Sequence, residues 1–195
     1  MAHLQPLTEE ETHDLEEVLG RVQEAMGFVP NSLRTMSRRP ELVKAFVAFA
    51  GTLQGGAQVE PVLQQLVAHV ASTAAGCSYC QAHTGAVAER RGAEAELVAQ
   101  AWEFETSDAF DDRQRAALRL ARDAALVPNA VTPQHFEELR RHFDEAQIVD
   151  LVAVISLFGF LNRWNDTLAT HLEDEPKDFG ERALESRGWA AGKHE

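Results

Sequence analysis

The stretch GCSYC, residues 76–80, holds the only two cysteines of a 195-residue chain, and His83 follows three residues after the second. On a helix, side chains three apart share a face, so Cys80 is expected to touch both Cys77 and His83. If that helix opens near Cys77, its unpaired N–H groups and its dipole favour a thiolate. The same placement lets the two sulfurs close a reversible disulfide. His83 is then placed to move protons to or from Cys80. One helix upstream, Gln65 and His69 are spaced i, i+4 and lead into the cysteines through a tight Ala-Gly turn. Antiparallel packing of the two helices brings His69 towards Cys80 or His83. Tyr79, the only tyrosine, lies between the cysteines and either lines a substrate pocket or packs.

Blander readings stand beside this one. Cys77 and Cys80 can be two small apolar core residues. Cys77, Cys80, His83 and His69 together make a donor set that suits zinc, although an all-helical chain does not need one to fold. His83 can be a capped surface histidine, His69 can simply bond a carbonyl, and Gln65 reads as structural more readily than catalytic. Free cysteines seldom cluster by accident when a chain has only two, so dithiol redox chemistry is the favoured reading, with no metal and no other cofactor.

The elements that must position these residues read as helices throughout, and the fold class is all-α, a helical bundle with helices packed in pairs. Thr8–Glu11 is a capping box, followed by Leu15, Val18, Leu19, Val22 and Met26 at helical spacing, with Gly27 as the stop. FVPNSLRTMSRRP, 28–40, reads as a connector between breakers Pro30 and Pro40. A helix after Pro40 stops at LQGGAQ. Pro61 opens the next, which Gly76 ends. The cysteine helix runs to Arg91, and a short helix covers about 93–103. Ser107 or Asp108 caps the following one, and Thr132-Pro133 opens another. The last pair covers about 134–143 and 145–170. FVPNSL and LVPNAV hint at a weak internal repeat, though turn chemistry alone produces such phrases. Residues 1–172 form the predicted domain. Residues 173–195 read as a polar tail, loosely ordered or packed on another subunit.

A net charge of −13 argues against nucleic acid and against an anionic membrane surface as partners. The apolar stretch 146–161 contains Asp150, and its uncharged part is too short to span a bilayer, so a buried core helix is predicted. MAHLQPLTEEETHDLEE has three acidic residues in a row and no apolar signal region, which predicts a cytoplasmic location, where a Cys pair is more often redox-active or metal-binding than structural. The polar cluster 162–166 is expected to form an interhelical network or a subunit contact rather than a substrate site. The acidic run 173–175 is expected to be a solvated face or to supply charge at a helix N-terminus.

VAHVASTAAGCSYCQAHTGAVAERRG resembles the core motif of the alkylhydroperoxidase D and carboxymuconolactone decarboxylase superfamily. GFVPNSLRTMSRRPELVKAF is similar to the entry segment of its peroxidase-related branch, and FGFLNRWNDTLATHLED to its closing helix, so the resemblance covers about residues 27–174. It implies that Cys80 is the peroxidatic thiol, which becomes a sulfenic acid, that Cys77 is the resolving thiol, and that His83 is the relay histidine. It further implies an organic or hydrogen peroxide substrate, a dithiol protein or small thiol as reductant, and a homo-oligomer (dimer, trimer or hexamer). Two departures stand out. The best-described members carry a glutamate where this chain has Gln65, and an amide is no general base; His69 is the nearby titratable substitute. Their histidine also comes four residues after the second cysteine, where this chain has Thr84. The enzyme reading is a thiol-dependent peroxidase or disulfide oxidoreductase. Its rival is a non-catalytic binding or assembly module on the same scaffold.

Overall fold

The computed structural model describes residues 2–55 and 58–195; it contains ten α-helices and, among the described residues, no strand. The chain begins with the capping box: Thr8 N–H donates to Glu11 Oε2 at 2.8 Å, and Glu11 N–H donates to Thr8 Oγ1 at 3.3 Å. A 3-10 segment follows (Glu10–Leu15), then α1 (Glu16–Met26), which ends at Gly27 with φ +83°. The predicted connector 28–40 is not all loop. It holds α2 (Asn31–Met36), which buries Leu33 and Met36. Pro30 and Pro40 bound this helix instead of excluding one, since proline is tolerated at a helix's first turn. α3 spans Pro40–Gly55, and the expected LQGGAQ stop lies partly outside the described residues.

α4 (Pro61–Ala74) and α5 (Ser78–Arg90) form an antiparallel pair at the centre, and α4 also packs on α7 (Asp112–Ala125) and α9 (Glu145–Leu168). Between them run α6 (Ala95–Ala99), a 3-10 turn at Ala101–Glu103, and α8 (Pro133–Leu139). α7 is capped by Asp111, which accepts from Gln114 N–H at 2.7 Å, and not by Ser107 or Asp108. Asp144 caps α9 in the same way. The FVPNSL phrase leads into α2, whereas LVPNAV is the loop between α7 and α8, so the two share turn chemistry only.

Leu66, Val67, Val70, Leu118, Leu120 and Leu151 are almost entirely buried in the main core. Full burial of such a side chain is worth about 1.5–3 kcal/mol. A second cluster (Leu15, Leu19, Leu33, Met36, Val43) ties α1–α3 together. α9 is long and apolar enough, by length and composition only, to cross a membrane. Here it packs against α3, α4, α5 and α7 and buries Leu151, Val154, Ile155 and Leu157. It is buried on one face only: Val149, Val152 and Phe160 are exposed.

Residues 173–195 are not a loose tail. They form α10 (Asp174–Phe179), a π-type turn (Gly180–Leu184) and two 3-10 turns, and they pack on α5 of the same chain. Small residues make the contact close. A Cβ on Gly85 would lie 2.1 Å from Phe179, and one on Gly180 would lie 2.4 Å from Trp189. Trp189 Nε1–H donates to the Ser78 carbonyl at 3.0 Å. The sequence reading missed this because packing on α5 needs only scattered anchors (Phe179, Leu184, Trp189, Ala191), not a periodic apolar face.

Candidate functional site

Gly76 takes φ +75°, which turns the chain sharply between α4 and α5 and places Cys77 at the N-cap of α5. Cys80 N–H donates to Cys77 Sγ at 3.4 Å, so the sulfur occupies the place of a capping oxygen. Both cysteines are free and buried. The Cys77 thiol is pulled below its ordinary value, first by hydrogen bonding from Cys80, with His194 assisting against the penalty of burial. The Cys80 thiol is pushed up, first by burial and then by competition with Cys77. Of the two sulfurs, Cys77 is the one that ionises more easily, because it accepts the Cys80 N–H at the helix start while Cys80 is the more deeply desolvated.

Cys80, and not Cys77, lines a cavity of about 570 Å³ between α1–α3 on one side and α4, α5 and α9 on the other. Its walls are largely apolar, including Val22, Leu33, Phe46, Leu53, Phe158 and Leu161. Gln65, Tyr79, His83, Thr84 and Asn165 are polar residues of the same lining, and Asn165 reaches the Cys80 sulfur. Four cationic side chains also line it. Arg21, Lys44 and Arg90 are engaged by Glu17, Glu41 and Glu175. Arg91 has no side-chain partner among the described residues, and burial lowers its pKa.

The structure brings His83 and Tyr79 together on one carboxylate. His83 Nε2 lies 2.6 Å from Glu173 Oε2, and Tyr79 O–H donates to Glu173 Oε1 at 2.9 Å. The same Oε1 accepts from Asn31 N–H. The Tyr79 and His83 rings stack at 4.2 Å between centroids. Burial opposes ionisation of Glu173, but attraction to His83 and the hydrogen bonds from His83 and Asn31 outweigh it and hold the carboxyl below its usual range. A buried, paired carboxylate on a histidine is the arrangement that fixes the ring for proton transfer.

His69 sits elsewhere. Its Nδ1 faces the Gln81 carbonyl at 3.1 Å and Thr84 Oγ1 at 3.1 Å, and it is not among the residues lining the cavity. Burial lowers its pKa to about 4, so it is neutral at pH 7. Thr84 links it to the cysteine helix by donating to the Cys80 carbonyl at 2.7 Å. Gln65 lines the cavity. Among the described residues no three His, Cys, Asp or Glu side chains are grouped to hold a metal ion, so the four-ligand zinc arrangement is not assembled.

Three residues of the site were not singled out from sequence. Glu173 was read as part of a solvated acidic run, and nothing local distinguishes it from its neighbours. Asn165 donates to Cys80 Sγ at 3.5 Å. Here a signal existed: Asn162 and Asn165 continue the buried register of Leu151, Val154, Ile155 and Phe158, so they are polar residues at core positions of an apolar helix. His194, next to last in the chain, is 1% exposed and lies beside Cys77.

Comparison with known proteins agrees with the all-helical fold. The model of the carboxymuconolactone decarboxylase family matches residues 40–123. The uncharacterized protein YnjA of Escherichia coli (strain K12) is 30% identical over 144 residues, 73% of this chain and 79% of its own. The debrominase Bmp8, solved as a cysteine-to-alanine variant with 2,3,4-tribromopyrrole, superposes with a TM-score of 0.87 at 31% identity, covering 92% of this chain and 96% of that one. An alkylhydroperoxidase D core protein, peroxidase-related and from Ralstonia eutropha JMP134, gives a TM-score of 0.77 at 27% identity over 88% and 92% of the two chains. With its helical architecture, its family-model match and a relative alike over most of both lengths, this chain belongs to the carboxymuconolactone decarboxylase family, within the alkylhydroperoxidase D-like superfamily.

Proposed function

We propose that this protein is a dithiol-dependent reductase of apolar organic substrates, with an organic hydroperoxide as the first substrate class and a thiol or dithiol protein as the recycling reductant. The observation that carries this reading is that Cys80 lines the cavity while Cys77, which does not, caps the same helix and accepts the Cys80 N–H on its sulfur. Hydrogen peroxide needs no cavity of about 570 Å³; an apolar organic body does.

In the forward step Cys80 passes its proton to the neighbouring site groups and its sulfur attacks the distal peroxide oxygen. The O–O bond breaks, the alkoxide takes a proton and leaves as the alcohol, and Cys80 becomes a sulfenic acid. Cys77 attacks that sulfur, the S–O bond breaks, and the hydroxide leaves as water. Substrate gains two electrons, the dithiol loses two, and the two thiol protons end on alcohol and water. His83, held by Glu173 and stacked on Tyr79, is the proton donor at the cavity wall. Asn165 steadies the Cys80 sulfur.

A second substrate class is favoured by the likeness to the debrominase. The same dithiol can reduce an aryl bromide to the arene, releasing bromide and a proton and closing the same disulfide. A homo-oligomer belongs to the proposal too, supported by exposed apolar residues on α3 and α9 (Leu42, Phe49, Val149, Val152, Phe160); light scattering tests it.

The test is intact mass and free-thiol count of pre-reduced, metal-free protein with one equivalent of cumene hydroperoxide or of tribromopyrrole. Loss of about 2 Da with both thiols gone supports the reading and identifies the substrate class, and Cys80→Ser should abolish it with folding intact. Two titratable thiols after both reagents would overturn it.

A further inference from the structure

The C-terminal residues close over the back of the dithiol, on the side away from the cavity. Leu172 N–H donates to the His194 carbonyl at 2.8 Å, and Lys193 Nζ pairs with Asp166 at 2.8 Å. His194 Nδ1 lies 2.8 Å from the Thr170 carbonyl. A carbonyl only accepts, so Nδ1 carries hydrogen, and in the neutral ring the lone pair sits on Nε2. That nitrogen is buried and makes no hydrogen bond. A buried polar atom left unpaired is costly and calls for a function. The groups packed around the ring are Cys77 and Tyr79 from α5, the tyrosine with ring centroids 5.8 Å apart, Thr170, and Asp166 from α9, whose Oδ1 stands 3.8 Å from Nε2; Cys80 lies behind Cys77 and Lys193 flanks Asp166.

We propose that His194 Nε2 is the proton partner of Cys77, so that the last residues of the chain complete the dithiol site. Resting on the dithiol reading above, the assignment gives each thiol its own imidazole: His83 on the cavity side for Cys80, His194 on the far side for Cys77. The Cys77 S–H bond breaks as its proton passes to Nε2, leaving a thiolate beside an imidazolium that Asp166 stabilises. When Cys77 bonds to the Cys80 sulfur, the thiolate charge disappears and the imidazolium releases that proton. The depressed Cys77 thiol, to which His194 contributes, agrees with this.

The experiment needs no substrate. In full-length, pre-reduced protein, thiolate absorbance near 240 nm is titrated in wild type, His194→Gln and Lys193→Met. His194→Gln still donates to Thr170 but cannot titrate; it should move the first thiol ionisation, which lies at about 6, up by about one unit, leaving about half as much thiolate at neutral pH and nearly tenfold less at about pH 5. Lys193→Met loses only the surface ion pair and should titrate like wild type. Should His194→Gln fail to fold, the His194 ring signal in wild type is titrated by NMR, reduced and after closing the disulfide with diamide. Its pKa should fall on oxidation. An unchanged thiolate curve in His194→Gln, or identical ring titration in both redox forms, would overturn the proposal. A protein that reduces no substrate yet shows the thiolate shift would refute the reductase reading alone.

Discussion

His69 is held as a neutral ring by burial, and acidification is the perturbation that tests this. Its pKa lies near 4 in the folded chain, against about 6.5 for an ordinary histidine. As pH falls below 6.5 the unfolded chain takes up a proton that the folded chain refuses until pH 4. Stability is therefore fully kept above the ordinary value and lost progressively down to the folded one. From those two values, the loss attributable to His69 between pH 7 and pH 5 is about 2 kcal/mol, rising to about 3 kcal/mol below pH 4. Urea unfolding of the reduced protein at both pH values measures it. His69→Gln keeps a donor for the Gln81 carbonyl and removes the titration. The variant should lose about 2 kcal/mol less than wild type between pH 7 and pH 5. Equal losses would mean that the folded ring titrates normally, and the argument that His69 is unsuited to proton delivery at neutral pH would fail.

Glu173→Ala leaves His83, Tyr79 O–H and Asn31 N–H without their acceptor; chemical denaturation should show a loss of about 3–5 kcal/mol, whereas Glu173→Gln should fold better yet oxidise about a hundredfold more slowly with hydroperoxide. Gly85→Ala would gain about 1 kcal/mol of helix propensity but meets Phe179 at 2.1 Å. A net destabilisation is expected, relieved by adding Phe179→Ala; a stabilised single variant would show that the C-terminal segment does not dock on α5. Arg91 is the cavity's one cation without a side-chain partner among the described residues. A ligand that carries an anionic group into this apolar cavity would meet Arg91 as its counter-ion, so calorimetry with dodecanoate as the probe should find it bound about tenfold more weakly by Arg91→Ala, with methyl dodecanoate unaffected; parallel losses for acid and ester would refute that role for Arg91.

Most of the helices, though not α2 or α10, and the position of Cys77 at a helix start were legible from local signals alone: apolar periodicity, prolines at first turns, glycines at stops and the Cys-x-x-Cys spacing. Local chemistry acts over a few residues, so it fixes what a segment becomes and which side chains share its face. It cannot say what packs against that face. The reading of His69 as the substitute for a missing glutamate shows the limit: α4 does pair with α5, yet the ring turns to the Gln81 carbonyl and Thr84 and is desolvated there.

The carboxylate on His83 comes instead from Glu173, ninety residues along the chain, and the imidazole beside Cys77 from His194. Both lie in a polar segment whose sequence carries no periodic apolar face. Long-range contacts fold that segment back: Phe179 sits over Gly85, Trp189 donates to the Ser78 carbonyl and Lys193 pairs with Asp166. The sequence by itself determined the dithiol and the helix that presents it. The tertiary structure decided which acid and which bases surround it, because burial and pairing, and hence the ionisation of Glu173, are set by contacts between segments distant in the chain.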